Sequence, residues 1–138
     1  AYTEGWATYA EYLSYQYAGL PEEVASVLAC NDRVVLSLYA SADIGIHYYG
    51  WNKDMLLDFF KNYGIHDENV IDQIYQLIVE DPANYLKYYV GYMNFASLEE
   101  EYRDAKKHDF SYMDFHKKIL QTGPAPFAIL KQQLLDTL

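Results

Sequence analysis

Apolar residues recur at three- and four-residue spacing along nearly the whole chain, and no run alternates at two. That period suits helices that bury one stripe each and leaves no segment patterned as a strand. It is plainest in Val70, Ile71, Ile74, Leu77 and Ile78, and again in Tyr85, Tyr88, Tyr89, Tyr92 and Ala96. Start and stop signals divide the pattern. A first helix over residues 3–18 closes at Gly19 and Pro21, and a second covers 22–42. The glycine-punctuated stretch 43–50 is expected to interrupt or kink the second helix. Asn52 caps a helix with Trp51, Met55, Phe59 and Phe60 on one face and Gly64 at its end, and Asp67 caps the next. Asp81-Pro82 reads as cap and first-turn proline of a long helix over 82–107. Ser111 and Asp114 form a capping box before Phe115 and Ile119, and Gly123 stops that helix. Pro124 and Pro126 open a last helix with Phe127, Leu130, Leu134 and Leu138 on its stripe. The expectation is one all-α domain of roughly seven helices over residues 1–138.

A chain of 138 residues is long enough for one real core, and 51% hydrophobic content excludes disorder. Twenty Asp and Glu against ten Lys and Arg give a net charge of −10, which repels phosphate backbones and makes nucleic acid a poor partner. No apolar run approaches the roughly 20 residues needed to span a bilayer. The single Cys30 excludes a disulfide framework and a cysteine metal cage, and it reads as a buried thiol. Sixteen Tyr against six Phe is the compositional oddity. Such an excess suits helix packing near a wet surface, and equally a polar aromatic groove for an extended substrate. The first helix begins with almost no room for a cap, so the chain is expected to continue upstream, and the compartment stays open.

Two short runs carry candidate chemistry. In Glu4-Gly5-Trp6-Ala7-Thr8-Tyr9-Ala10-Glu11, helical spacing puts Glu4, Thr8 and Glu11 on one face. A carboxylate on a rigid helix suits a Zn²⁺ ligand, and a first-turn Glu equally suits the helix dipole. In Asp43-x-Gly-x-His47, Asp43 one turn away orients an imidazole fit to act as base or oxyanion donor, or else simply satisfies a half-buried histidine. Gly45 and Gly50 permit close backbone approach, and Trp51 belongs to the core. His66, His108 and His116 read as surface residues. The chain has no His-x-x-x-His pair, no phosphate loop and no Gly-x-Ser-x-Gly elbow.

Together these runs resemble a known family. The first matches an "EGWAxYAE" helix, and Asp43 to Trp51 matches "DxGIHxxGW". Tyr88-Tyr89-Val90-Gly91 matches "YxxG", and Phe115-His116 through Leu120, Gly123, Pro126 and Leu130 matches "FHxxxLxxGxxPxxxL". The family is the bacterial "domain of unknown function 885", regarded as zinc metallopeptidases and often lipoproteins. The resemblance implies an all-helical gluzincin whose upstream His-Glu-x-x-Pro-Gly-His helix supplies two histidine ligands and the general base. It makes Glu4 the third zinc ligand, His47 and Tyr88 the groups that bind the scissile carbonyl or oxyanion, and Asp43 and Glu11 their supports. The upstream helix is not in this chain. Tyr39 also stands where many members have Arg, and Tyr92 where many have Gln.

The resemblance therefore predicts the C-terminal half of a zincin-like catalytic domain, silent alone. Zinc would be held in the parent protein and none in this chain by itself. Its partners would be the upstream half, a peptide substrate and, through an uncovered apolar face, a second copy of the chain. Its place would be that of an extracytoplasmic lipoprotein. Two other classes stay open: an aromatic-groove module for peptide or glycan, and a structural or oligomerisation domain.

Overall fold

The computed structural model describes residues 1–135. Among the described residues seven α-helices follow one another: α1 (Tyr2–Ser14), α2 (Glu22–His47), α3 (Lys53–Lys61), α4 (Glu68–Glu80), α5 (Asn84–Lys106), α6 (Tyr112–Thr122) and α7 (Phe127–Leu135). Short 3₁₀ turns extend α1 over Tyr15–Tyr17 and α5 over Lys107–Asp109. The described residues contain no strand, as the three-to-four periodicity requires. Leu138 lies outside the described residues.

The apolar stripes meet in two cores. Tyr9 of α1, Phe95, Leu98 and Tyr102 of α5, Phe115 and Ile119 of α6, and Leu130 and Leu134 of α7 form the first. Leu38, Ala42 and Ile46 of α2 join Leu56 and Phe60 of α3 and Ile71, Ile74 and Ile78 of α4 in the second. The α5 helix, about 35 Å long at 1.5 Å per residue, serves both. Tyr85 near its start packs on the second core, while Phe95 and Tyr102 lie within the first.

Where α1 meets α5, the backbones touch. A Cβ placed on Gly5 would lie 2.3 Å from the carbonyl carbon of Gly91. One placed on Gly91 would lie 2.3 Å from the carbonyl oxygen of Ala1 and 2.7 Å from the Gly5 Cα. No side chain fits between the helices here, which explains a glycine at both positions in ordinary helical conformation. Trp6 and Tyr2 then pack edge-on against Phe95, at centroid distances of 5.3 and 5.2 Å.

Several local expectations are corrected. Residues 43–50 do not break α2, which continues to His47. Gly45 is there to receive the Trp51 indole, since a Cβ on it would lie 2.2 Å from that ring. Gly50, at φ +71°, makes the turn that brings Trp51 back, and the Trp51 N–H donates to the Gly45 carbonyl at 2.9 Å. Asp81-Pro82 does not start α5. Ala83 precedes the helix in the left-handed region at φ 63°, and its N–H donates to the Asp43 carboxylate at 3.0 Å. That bond helps to hold a conformation disfavoured by about 1 kcal/mol or more.

The capping box does not form: the Ser111 side chain makes no cap bond, and the Asp114 carboxylate accepts from the Tyr102 hydroxyl instead of reaching back to Ser111. α1 gives way to a 3₁₀ turn after Ser14, and Cys30 is exposed on α2 rather than buried. The Asn52 and Asp67 caps form as expected, accepting from Met55 N–H and from Asn69 and Val70 N–H. Met55, Val70 and Leu77, assigned to apolar stripes, face outward, and Leu56 takes the buried place on α3.

Gly91→Ala should cost about 3 kcal/mol or more in urea denaturation, because two rigid backbones must part. Gly19→Ala should cost only about 1 kcal/mol, since Gly19 sits at φ +70° with nothing within 4 Å. Equal losses would contradict the backbone contact.

Candidate active site

Glu4 lies in the first turn of α1, where a carboxylate favours the positive end of the helix dipole. Its half-buried side chain meets Tyr88, one turn before Gly91 on α5. The Glu4 charge and its hydrogen bond raise the Tyr88 pKa, with partial burial and Asp81 adding to the effect. Tyr88 therefore keeps its proton at neutral pH and acts as a donor rather than a phenolate. Thr8 does not orient the carboxylate, since its hydroxyl donates to the Glu4 backbone carbonyl at 2.9 Å. Glu11 shares the face of Glu4 but lies two turns, about 10 Å, further along α1, where its charge acts on Tyr12 and Tyr15.

The second run sits in the last turn of α2 and ties down two neighbours. His47 Nε2 lies 2.9 Å from the Ile78 carbonyl, in the last turn of α4 where carbonyls lack helical partners. A carbonyl only accepts, so this nitrogen carries the proton. Asp43 Oδ1, 3.8 Å from the same nitrogen, takes the Ala83 N–H ahead of α5. The Asp43 side chain is 1% exposed, and its Oδ2 has no hydrogen-bond partner among the described residues. One turn of α2 thus caps the end of α4 and the start of α5. His47 and Asp43 form one unit, and Glu4 and Tyr88 form another. The link between them runs through Tyr85, whose pKa is raised by burial first and then by Tyr39, Asp43, Asp81 and Tyr88.

A third constellation was not legible in the sequence. Tyr9 donates to Glu99 at 2.7 Å and its oxygen lies 3.1 Å from His116 Nε2. Arg103 bonds Glu99 and the Tyr112 hydroxyl, and stacks 4.1 Å from the Phe110 centroid. His116 is therefore no surface residue. Trp6, Tyr9, Tyr112 and Phe115 surround it, and burial lowers its pKa against the opposing Glu99 charge. Glu99 opens a charged run, Glu99-Glu100-Glu101, of the kind that usually faces solvent, yet its side chain is only 16% exposed. Only the i, i+4 pairing of Glu99 and Arg103 hinted at this. Tyr9 and His116 stand 107 positions apart.

Among the described residues no three His, Cys, Asp or Glu side chains come together to hold a metal. Glu4 alone offers one ligand where zinc takes at least three from protein, so the residues present do not make a zinc site by themselves. No described helix is long and apolar enough to cross a membrane. The fold and these units define an all-helical domain with a carboxylate–phenol pair at a helix crossing and a histidine–aspartate lock at a three-helix junction. The chain belongs to the family described as bacterial protein of unknown function (DUF885), whose profile matches residues 1–134. No curated protein and no solved structure gives a significant match.

The tyrosines and His116 bound the pH range of stability. Above 6.5 the unfolded His116 no longer takes up a proton that the folded one refuses, so that contribution is complete and fades as pH falls below 6.5. Tyr12 and Tyr102 are each pushed up to about 12, chiefly by burial. The folded state thus keeps protons that the unfolded chain releases from about pH 10 upward, and stability falls between about pH 10 and 12. Urea midpoints should form a plateau between about pH 6.5 and 10 and drop on both sides, with a gentler alkaline drop in Tyr102→Phe. A midpoint unchanged up to pH 11 would contradict this.

Proposed function

We propose that this chain is the C-terminal part of the catalytic domain of a zinc-dependent peptide hydrolase. Glu4 is one of its metal ligands, and Tyr88 donates a hydrogen bond to the carbonyl oxygen under attack. The observation that carries the reading is the Glu4–Tyr88 pair, set on two helices that cannot slide because Gly5 and Gly91 are in backbone contact. A charge-stabilising donor is effective when held rigidly where charge develops. Tyr88 keeps its one O–H proton, which it donates to Glu4 here, and that proton would turn to the substrate carbonyl when the Glu4 oxygens engage a metal. The family membership and the EGWAxYAE and YxxG runs agree with the assignment.

The further ligands come from outside this chain, which alone is expected to hold no zinc and hydrolyse nothing. His47 and Asp43 complete the site in this reading. With Nε2–H committed to Ile78, His47 offers Nδ1 to a substrate as a donor only when doubly protonated. Asp43 Oδ1 lies 3.8 Å from the same Nε2 and borders the ring. Glu11 lies on the exposed side of α1, where its charge supports the binding face rather than the reacting group.

The test uses the natural full-length protein. Wild type should carry zinc and cleave members of a mixed peptide library, and Glu4→Gln should lose both. Tyr88→Phe should keep the zinc while kcat falls about 10²–10³-fold, the usual loss for one oxyanion donor. Zinc content and cleavage indifferent to Glu4, or a wild type without zinc, would contradict the proposal.

A further inference from the structure

A cavity lies away from Glu4. A cleft of about 650 Å³ opens between α1, the turn after it, α2 and α5, with Tyr12, Tyr15, Tyr92, Glu22, Arg33 and Glu99 on its walls. Its size is that of a site for a small ligand or a few residues of peptide. We infer that this cleft binds an extended peptide through a basic side chain.

Charge is the first argument. Glu22 and Glu99 line the cleft, and the charges of Glu11 and Asp32 act on the tyrosines at its edge. Against these stand two guanidiniums, and Arg103 is already bound to Glu99 and Tyr112. Arg33 lines the cleft as well and keeps its positive charge while its Nε–H donates to the Ala29 carbonyl, so the carboxylates of Glu11, Glu22 and Asp32 outnumber it three to one. Glu11 and Glu22 form no ion pair among the described residues. An ammonium or guanidinium entering here gains carboxylates and tyrosine faces together.

Ring chemistry is the second argument. Tyrosine hydroxyls bond peptide groups while the rings cover the aliphatic stem of a Lys or Arg. Both tryptophans, the widest faces for stacking a sugar, are used elsewhere: Trp6 on Phe95 and His116, Trp51 on Gly45.

Position is the third argument, and this part alone rests on the proposed hydrolase reading. Tyr12 lies two helical repeats beyond Glu4 on α1, and Tyr92 lies one beyond Tyr88 on α5. Eight residues of helix span about 12 Å, the length of roughly three or four residues of extended peptide. The cleft would then select a side chain three or four residues from the bond cut.

Binding needs neither zinc nor turnover, so it is measured on the natural full-length protein in the presence of a metal chelator. The probes are end-capped Ala-Lys-Lys-Ala, end-capped Ala-Glu-Glu-Ala and chitotetraose, followed by calorimetry and by amide NMR shifts. The lysine peptide should bind at least about tenfold more tightly than the other two and should weaken with added salt. Ala29→Trp, which fills the cleft from α2, should cut that affinity about tenfold or more with the melting temperature unchanged. Glu22→Gln should weaken it several-fold. Equal or tighter binding of the acidic peptide or of chitotetraose would overturn the inference. So would lysine-peptide affinity unaffected by Ala29→Trp, or no binding at millimolar peptide. These results are independent of the zinc and cleavage assays on Glu4, so either reading can fail alone.

Discussion

The backbone contact between Gly5 and Gly91 is the constraint on which the arrangement of this domain depends. Two helices normally keep side chains between them and sit 8–10 Å apart. Here a methyl group on either glycine would overlap the other helix or the Ala1 carbonyl. The close approach fixes the register of α1 on α5, and three consequences follow from that register. Glu4 meets Tyr88, Trp6 and Tyr2 close on Phe95, and Tyr9 reaches Glu99. The polar pair and the aromatic core are thus set by one contact, and a change in it alters packing and chemistry together.

The last turn of α2 does for the other half of the domain what the glycines do for the first. Its Asp43 and His47 take an N–H and a carbonyl from the junction of α4 and α5, and its Gly45 admits Trp51. Each group has a structural duty that the residue types alone do not announce.

The helical class and the chemically marked caps were legible because their causes are local. Period sets the stripe, and Asn52 and Asp67 need only neighbours two or three residues away. What stayed hidden depends on distant partners. Gly45 reads as a helix breaker until Trp51 is seen to need its space, and Ala83 carries no sign of a left-handed conformation held by Asp43, 40 positions earlier. Ser111 and Asp114 match a capping box, yet Tyr102 claims the carboxylate first. Of the candidate site, the sequence pattern placed Glu4 and Tyr88 on helices, and only the fold joined them. His116, Tyr9 and Glu99 escaped notice because residues 107 and 90 positions apart leave no periodic trace.

The account rests most heavily on Glu4 and Tyr88 forming one unit. Its most direct test is the Tyr88 ionisation, followed by NMR of tyrosine labelled at the phenol carbon in wild type and Glu4→Gln. A Tyr88 titrating above 10 in wild type and moving back toward 10 in Glu4→Gln is the predicted result. A Tyr88 titration that ignores the loss of the Glu4 charge would show that the two side chains do not meet, and the site built on them would fall.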